Sequence, residues 1–174
     1  MEYYKEINLP SWQSSPLVWD FQLPGCTGQG QILRYHKHVL REDLLADIAQ
    51  RGLTVREVQM FVSPAMYYMR THIDGGEVHN NAAINYALNS RSWTMNWFEY
   101  TQSLPAMKTT ASGTDYLPLE QEHCRLACSA SWQHSALVRT GRAHNIINRD
   151  RVPRYCVSIR FQDNDYDFLA SKFN

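Results

Sequence analysis

Charge of one sign, long apolar runs and cysteine are all scarce in this 174-residue sequence, and each shortage excludes something. Seventeen Lys and Arg balance seventeen Asp and Glu, so no electrostatic footprint points to nucleic acid or an anionic membrane as partner. No stretch is apolar for long enough to span a bilayer. The opening Met1-Glu2-Tyr3-Tyr4-Lys5-Glu6 lacks the basic start and apolar run of a secretory leader. The expectation is therefore a soluble, cytoplasmic chain. In that compartment the four cysteines, Cys26, Cys124, Cys128 and Cys156, read as reduced thiols. Cys124 and Cys128, with His123 and His134 nearby, match no common zinc-finger or ribbon spacing. Internal repeats, low-complexity tracts and an alternating βα rhythm are missing too, which rules out a doubly wound sheet.

What is present is apolar, aromatic and strand-like. Hydrophobic residues make up 44% of the chain, enough for one domain with a full core, and ten Tyr and five Trp suit a β-rich sandwich or barrel. The first thirty residues carry Pro, Gly, Ser and Gln and read as an irregular arm with one short strand near 17–21. Leu44, Leu45 and Ile48 recur at helical spacing behind Glu42 and Asp43, and Gly52 stops the pattern, predicting one amphipathic helix. Strand patterns then follow at 56–62, 66–71, 82–88 and 93–100, with a polar turn at 89–92. Residues 101–118 read as a loop, and 119–134 is ambiguous between helix and strand. Three more strands are predicted at 136–139, 144–147 and 154–161, and a short helix at 165–173. Many short strands and few helices favour a sandwich or a jelly-roll barrel.

The sharpest local feature is the run Thr71-His72-Ile73-Asp74-Gly75-Gly76. Strand alternation puts His72 and Asp74 on one face, and the glycines allow the chain to turn at once. An imidazole and a carboxylate so placed form two-thirds of a facial triad for a metal. A second imidazole, His144, opens a later strand, and Arg154 follows it by ten residues across a polar turn containing Pro153. That spacing suits a dicarboxylate co-substrate, whose far carboxylate needs a planar, permanently charged partner.

His72, Asp74, His144 and Arg154, in that order and spacing, resemble the Fe(II)/2-oxoglutarate-dependent dioxygenase superfamily. Ala82-Ala83-Ile84-Asn85-Tyr86-Ala87-Leu88, Trp97-Phe98 and the closing Val157-Ser158-Ile159-Arg160-Phe161 are similar to its prolyl- and aspartyl-hydroxylase-like branch. Asp74 is a difference from aspartyl hydroxylases proper, which lack the triad carboxylate. The resemblance covers roughly 55–161. It implies a single domain over 1–174, mainly β: a double-stranded β-helix (a jelly-roll or cupin-like barrel) with one or two flanking helices. Residues 1–52 would be the N-terminal arm and supporting helix, and 55–161 the barrel core. It also implies that His72, Asp74 and His144 bind Fe(II) and that Arg154 pairs with 2-oxoglutarate, with O₂ as the other co-substrate. Ser158, four residues beyond Arg154 on the same face, Asn85 and Tyr68 are further candidates for holding 2-oxoglutarate. Tyr68 is assigned to the face of His72 by alternation. Arg160 is the alternative anchor to Arg154. The reaction implied is hydroxylation of a small molecule or a peptide side chain, with no nucleic acid and no membrane as partner. The pocket's outer wall would come from loops near 20–30, 75–81 and 101–118, and their composition names no substrate.

Two other readings use the same barrel. His36, His38 and Glu42 with Gly30 fit part of a first cupin motif, and Gly141, His144 and Asn148 fit part of a second. Its weakness is that Glu42 reads as helix where a cupin needs a strand. The other is a jelly-roll binding module without catalysis, against which the retention of all four site residues counts. A nucleobase demethylase is disfavoured by the neutral charge.

Overall fold

The computed structural model describes residues 1–7, 28, 30–75, 81–88, 92–111 and 113–174. The strand expected near 17–21, Cys26, Gly76 and most of the turn at 89–92 lie outside the described residues. Within them the protein is mainly β, with two antiparallel sheets and two α-helices. No described helix is long and apolar enough to cross a membrane.

The first sheet has six strands in the order β1 (Tyr4–Glu6), β11 (Ser135–Arg139), β6 (Ala82–Ala87), β13 (Arg154–Phe161), β3 (Val55–Ser63) and β2 (Gln31–Tyr35). The second runs β10 (Cys124–Ala130), β7 (Trp93–Tyr100), β12 (His144–Asn148), β5 (His72–Asp74), β9 (Asp115–Pro118) and β8 (Lys108–Thr109), with β4 (Tyr67–Tyr68) also paired to β12. From β3 onward the chain passes from sheet to sheet: β3 in the first, β4 and β5 in the second, β6 in the first, β7 to β10 in the second. It then alternates singly through β11, β12 and β13.

Alternation along β13 explains both faces of the first sheet. Tyr155, Val157, Ile159 and Phe161 point outward and pair with Val62, Met60, Val58 and Val55 of β3. Leu44 and Ile48 of α1 (Glu42–Gln50) and Tyr166 and Leu169 of α2 (Tyr166–Lys172) join this outer cluster. Each such buried apolar side chain stabilises the fold by roughly 2 kcal/mol. Gly52, at φ +72°, ends α1 in the left-handed region that a Cβ disfavours. Asp165 caps α2, its carboxylate accepting the Phe168 amide at 2.9 Å.

The intervening residues of β13, Arg154, Cys156, Ser158 and Arg160, point the other way, between the sheets. Part of that interior is apolar, with Trp93, Met95, Trp97, Trp132 and Ile146 in one cluster. The remainder is polar, and the candidate site lies there.

The N-terminal residues do more than form an arm: β1 and β2 extend the two edges of the first sheet. Residues 101–118 are not a continuous loop either, since β8 and β9 pair with each other and β9 pairs with β5. The ambiguous segment becomes a 3₁₀ turn, Gln121–His123, followed by β10. The strand expected at 66–71 is broken after Tyr68.

Candidate metal centre

Two strands remote in sequence bring three ligand-type side chains together. His72 and Asp74 leave β5 on one face, and His144, opening β12, is registered directly opposite His72. Their ligand atoms all lie within 4.8 Å of one another. Asp74 Oδ1 is 3.4 Å from His72 Nε2 and 3.8 Å from His144 Nε2, and the imidazole centroids are 4.5 Å apart.

Each ring is oriented by the same device. His72 Nδ1 donates to the Arg70 carbonyl at 2.9 Å, and His144 Nδ1 donates to the Arg142 carbonyl at 2.7 Å. A carbonyl can only accept, so the proton sits on Nδ1 and Nε2 is left to face Asp74. Asp74 is fixed from its other side. Arg160 Nη2 donates to its Oδ2 at 2.7 Å, while Arg160 Nη1 donates to Thr140 Oγ1 at 2.9 Å. Oδ1 alone is turned to the imidazoles.

Electrostatics match that geometry. Burial pushes the Asp74 carboxyl up, but the Arg160 charge and the His72 hydrogen bond outweigh it and hold the group well below the usual carboxylate range. Burial, with the neighbouring His72, pulls the His144 imidazole down to about 4, so it is neutral near pH 7. For His72 burial also acts downward, yet the hydrogen bond and charge of Asp74 prevail and leave it above its ordinary value. An ionised carboxylate and one firmly neutral imidazole are the forms a metal ligand requires.

Arg154 lies in the same cavity as the three ligands and Asn85. It is only 1% exposed, and its guanidinium carbon stands 4.2 Å from the centroid of Trp93. Its Nε and Nη2 have no hydrogen-bond partner, and no carboxylate pairs with it among the described residues. Nearby polar atoms share this condition: Ser63 Oγ, from the residue paired with Arg154 on β3, and Ser158 Oγ and Asn85 Oδ1, from residues directly paired across β13 and β6. Leaving such buried groups unpaired costs roughly 1–3 kcal/mol each.

Some expected residues are elsewhere. Tyr68 does not share His72's face. Tyr68 pairs with Ile147 and His72 with His144, so four residue steps on one strand span three on the other. The extra residue breaks the alternation. The Tyr68 hydroxyl instead accepts from Asn145 at 2.9 Å and donates to Gln121 at 3.0 Å. The cupin set is also not assembled. His36 and His38 stack on each other at 4.5 Å beside an exposed 3₁₀ turn, and Glu42 is the first residue of α1. Asn148 donates to the Pro64 and Val152 carbonyls and holds a turn. Cys124 and Cys128 enter no metal-type cluster among the described residues; the other such cluster is the exposed Glu120, Glu122 and His123.

Sequence reasoning missed Thr140, the pairing of Arg160 with Asp74, and Trp93 beneath Arg154. The even-numbered polar residues of β13 carried part of that signal. Thr140 and Trp93 had none, because their roles depend on strands from elsewhere in the chain.

No family model matches the sequence, and no curated protein matches it. Among solved structures, Peruvianin-I, a cysteine peptidase from Thevetia peruviana latex, is similar at a TM-score of 0.40 and 10% identity, over 88% of this chain and 74% of that one. A likeness at that level fixes neither fold nor chemistry.

Proposed function

We propose that the protein is an Fe(II)- and 2-oxoglutarate-dependent oxygenase that hydroxylates a small molecule or a peptide side chain. One observation carries this reading: a single cavity joins the His72–Asp74–His144 triangle to a buried guanidinium that no carboxylate among the described residues pairs with. Two imidazoles and a carboxylate, with no thiolate among them, suit ferrous iron and leave other coordination positions open. Two arginines, Arg154 and Arg160, line the cavity, and among the described residues Asp74 is its one carboxylate, so these side chains give it surplus positive charge even before a metal adds more. A dicarboxylate offsets both.

Ferrous iron and 2-oxoglutarate, when bound, supply O₂ activation: a substrate C–H becomes C–OH while 2-oxoglutarate loses CO₂ and becomes succinate. The chain's own residues do the rest. His72 and His144 present Nε2, Asp74 presents Oδ1, and Arg160 with Thr140 keeps that carboxylate from turning. Arg154 pairs with the distal carboxylate of 2-oxoglutarate, steadied by Trp93, with Ser158 and Asn85 as neutral partners. Arg160 is already committed to Asp74, which favours Arg154 as the anchor.

The sheet-to-sheet path of β3 to β13 supports the finer reading of the fold as a double-stranded β-helix, or jelly roll. Succinate release from 2-oxoglutarate with Fe(II) tests the proposal, against a panel of amino acids and peptides. Release that requires iron and disappears in His72→Ala supports it. No iron-dependent release from any mixture, with no Fe(II) or Mn(II) binding, sinks it.

A further inference from the structure

A second, larger hollow opens beside the metal triangle, between β2 and β3 of one sheet and β5, β9 and β8 of the other. Its volume is about 490 Å³, within the range of small-molecule sites. His72 and Asp74 lie in its wall, so whatever fills it meets the metal centre. The remaining wall is mostly apolar and aromatic, with Phe61, Tyr67 and Tyr116. The Tyr116 ring stands edge-on to His72 at 6.4 Å.

Among the described residues, charge in this hollow is one-sided. Arg70 and Lys108 both line it, and neither has a carboxylate partner among the described residues. Asp74, the one acidic side chain among the described residues of the wall, is held by Arg160. Register locates the two cations. Asp74 pairs with Tyr116 and Tyr116 with Lys108, so the three side chains form one row across three strands. Adjacent strands are about 4.8 Å apart, which puts Lys108 about 10 Å from Asp74. Arg70 is two residues from His72, whose ring its own carbonyl holds. Along an extended chain that is about 7 Å.

From this arrangement we propose that the hollow is the substrate site and that its substrate is a small anion: a flat apolar body carrying a carboxylate or phosphate read by Arg70 and Lys108. The backbone positions of Arg70 and Lys108 lie about 7–10 Å from those of the metal ligands, so a substrate that reaches both has a body of roughly aryl-alkyl length between its charged group and the bond to be hydroxylated. Tyr67 and Tyr116 flank that body. This deepens the oxygenase reading and rests on it for the ligand's being a substrate; binding itself does not depend on turnover.

The test is calorimetric titration of the full chain with three probes, 4-phenylbutyrate, its uncharged amide and 3-phenylpropyl phosphate. Titrations are repeated with Mn(II) and excess 2-oxoglutarate present, so that Arg154 is occupied and no turnover occurs. The charged probes should bind about five- to tenfold more tightly than the amide, the scale of two partly exposed ion pairs. That preference should shrink as salt is raised. It should vanish in the Arg70→Gln/Lys108→Gln double variant, whose exposed side chains leave the fold and Mn(II) binding intact. The two charged probes against each other distinguish carboxylate from phosphate. Equal binding of acid and amide, no binding of any probe, or a preference that survives the double substitution overturns the proposal. Loss of Mn(II) binding and succinate release, with the charge preference retained, would overturn the oxygenase reading and leave an anion-binding cleft.

Discussion

At the scale of single residues, Arg154 and Arg160, two side chains of one type, have different tasks in the proposed function. They lie on the same face of β13, six residues apart, but only Arg160 reaches Asp74. Arg160→Met should therefore weaken metal binding by about 10–100-fold, the usual scale for a group that orients a ligand. Arg154→Met should leave metal binding unchanged and raise the 2-oxoglutarate requirement. Mn(II) titration monitored by electron paramagnetic resonance separates the two, and interchanged effects would reassign the anchor to Arg160. His72→Ala or Asp74→Ala should abolish iron-dependent turnover and metal binding together. The pH dependence follows from the two imidazoles. His144, at about 4, has no proton to give up near neutrality, whereas His72, held above its ordinary value, must lose one to ligate. Metal affinity should thus rise with pH below the His72 pKa by about tenfold per unit, one proton per metal. A slope of two protons between pH 5 and 7 would contradict the assigned state of His144.

At the scale of elements, what the sequence made legible depended on how locally each strand is specified. β7 and β13 were readable end to end because β-branched and aromatic residues fill both faces or alternate cleanly along them. β8 and β9 were not: they are two and four residues long, and their stability comes from β5, distant in sequence. His72 and Asp74 were readable as a pair from alternation alone. Tyr68 was misplaced because one extra residue before His72 is invisible without the partner strand. Gly75 was read as a turn glycine, but its reason is steric. An added Cβ would stand 2.5–2.7 Å from the side chain and backbone of Asp115, whose carbonyl accepts the Gly75 amide at 2.7 Å. Gly75→Ala must therefore push β9 off β5, at a cost of about 1–3 kcal/mol. We expect a lower urea midpoint and, because Asp74 is the adjacent residue, weaker metal binding. A midpoint and an affinity equal to wild type would show that the contact yields freely.

At the scale of the whole molecule, stability and the proposed function pull in opposite directions through Arg154. A buried guanidinium set against the Trp93 ring and the Cys156 thiol, with no hydrogen bond at Nε and Nη2, is a net load on the ligand-free fold. Methionine has a similar length, no charge to bury and no polar atom to satisfy. Arg154→Met should therefore stabilise the ligand-free protein by about 1 kcal/mol, less whatever the contact with Trp93 contributes. For a chain of this size that is an increase of about 2–4 °C in Tm. A ligand bound by the native state alone stabilises it by mass action, so wild type should gain further thermal stability from 2-oxoglutarate with Mn(II). The variant should gain as much from Mn(II) but much less from 2-oxoglutarate at the same concentration. The order of stabilities then inverts: the variant is the more stable chain without ligands and the less stable one with both. Thermal melts in the four ligand conditions decide it. A variant that melts below wild type without ligands would mean that Arg154 is already well partnered in the empty cavity, and the case for an anion there would lose its main support.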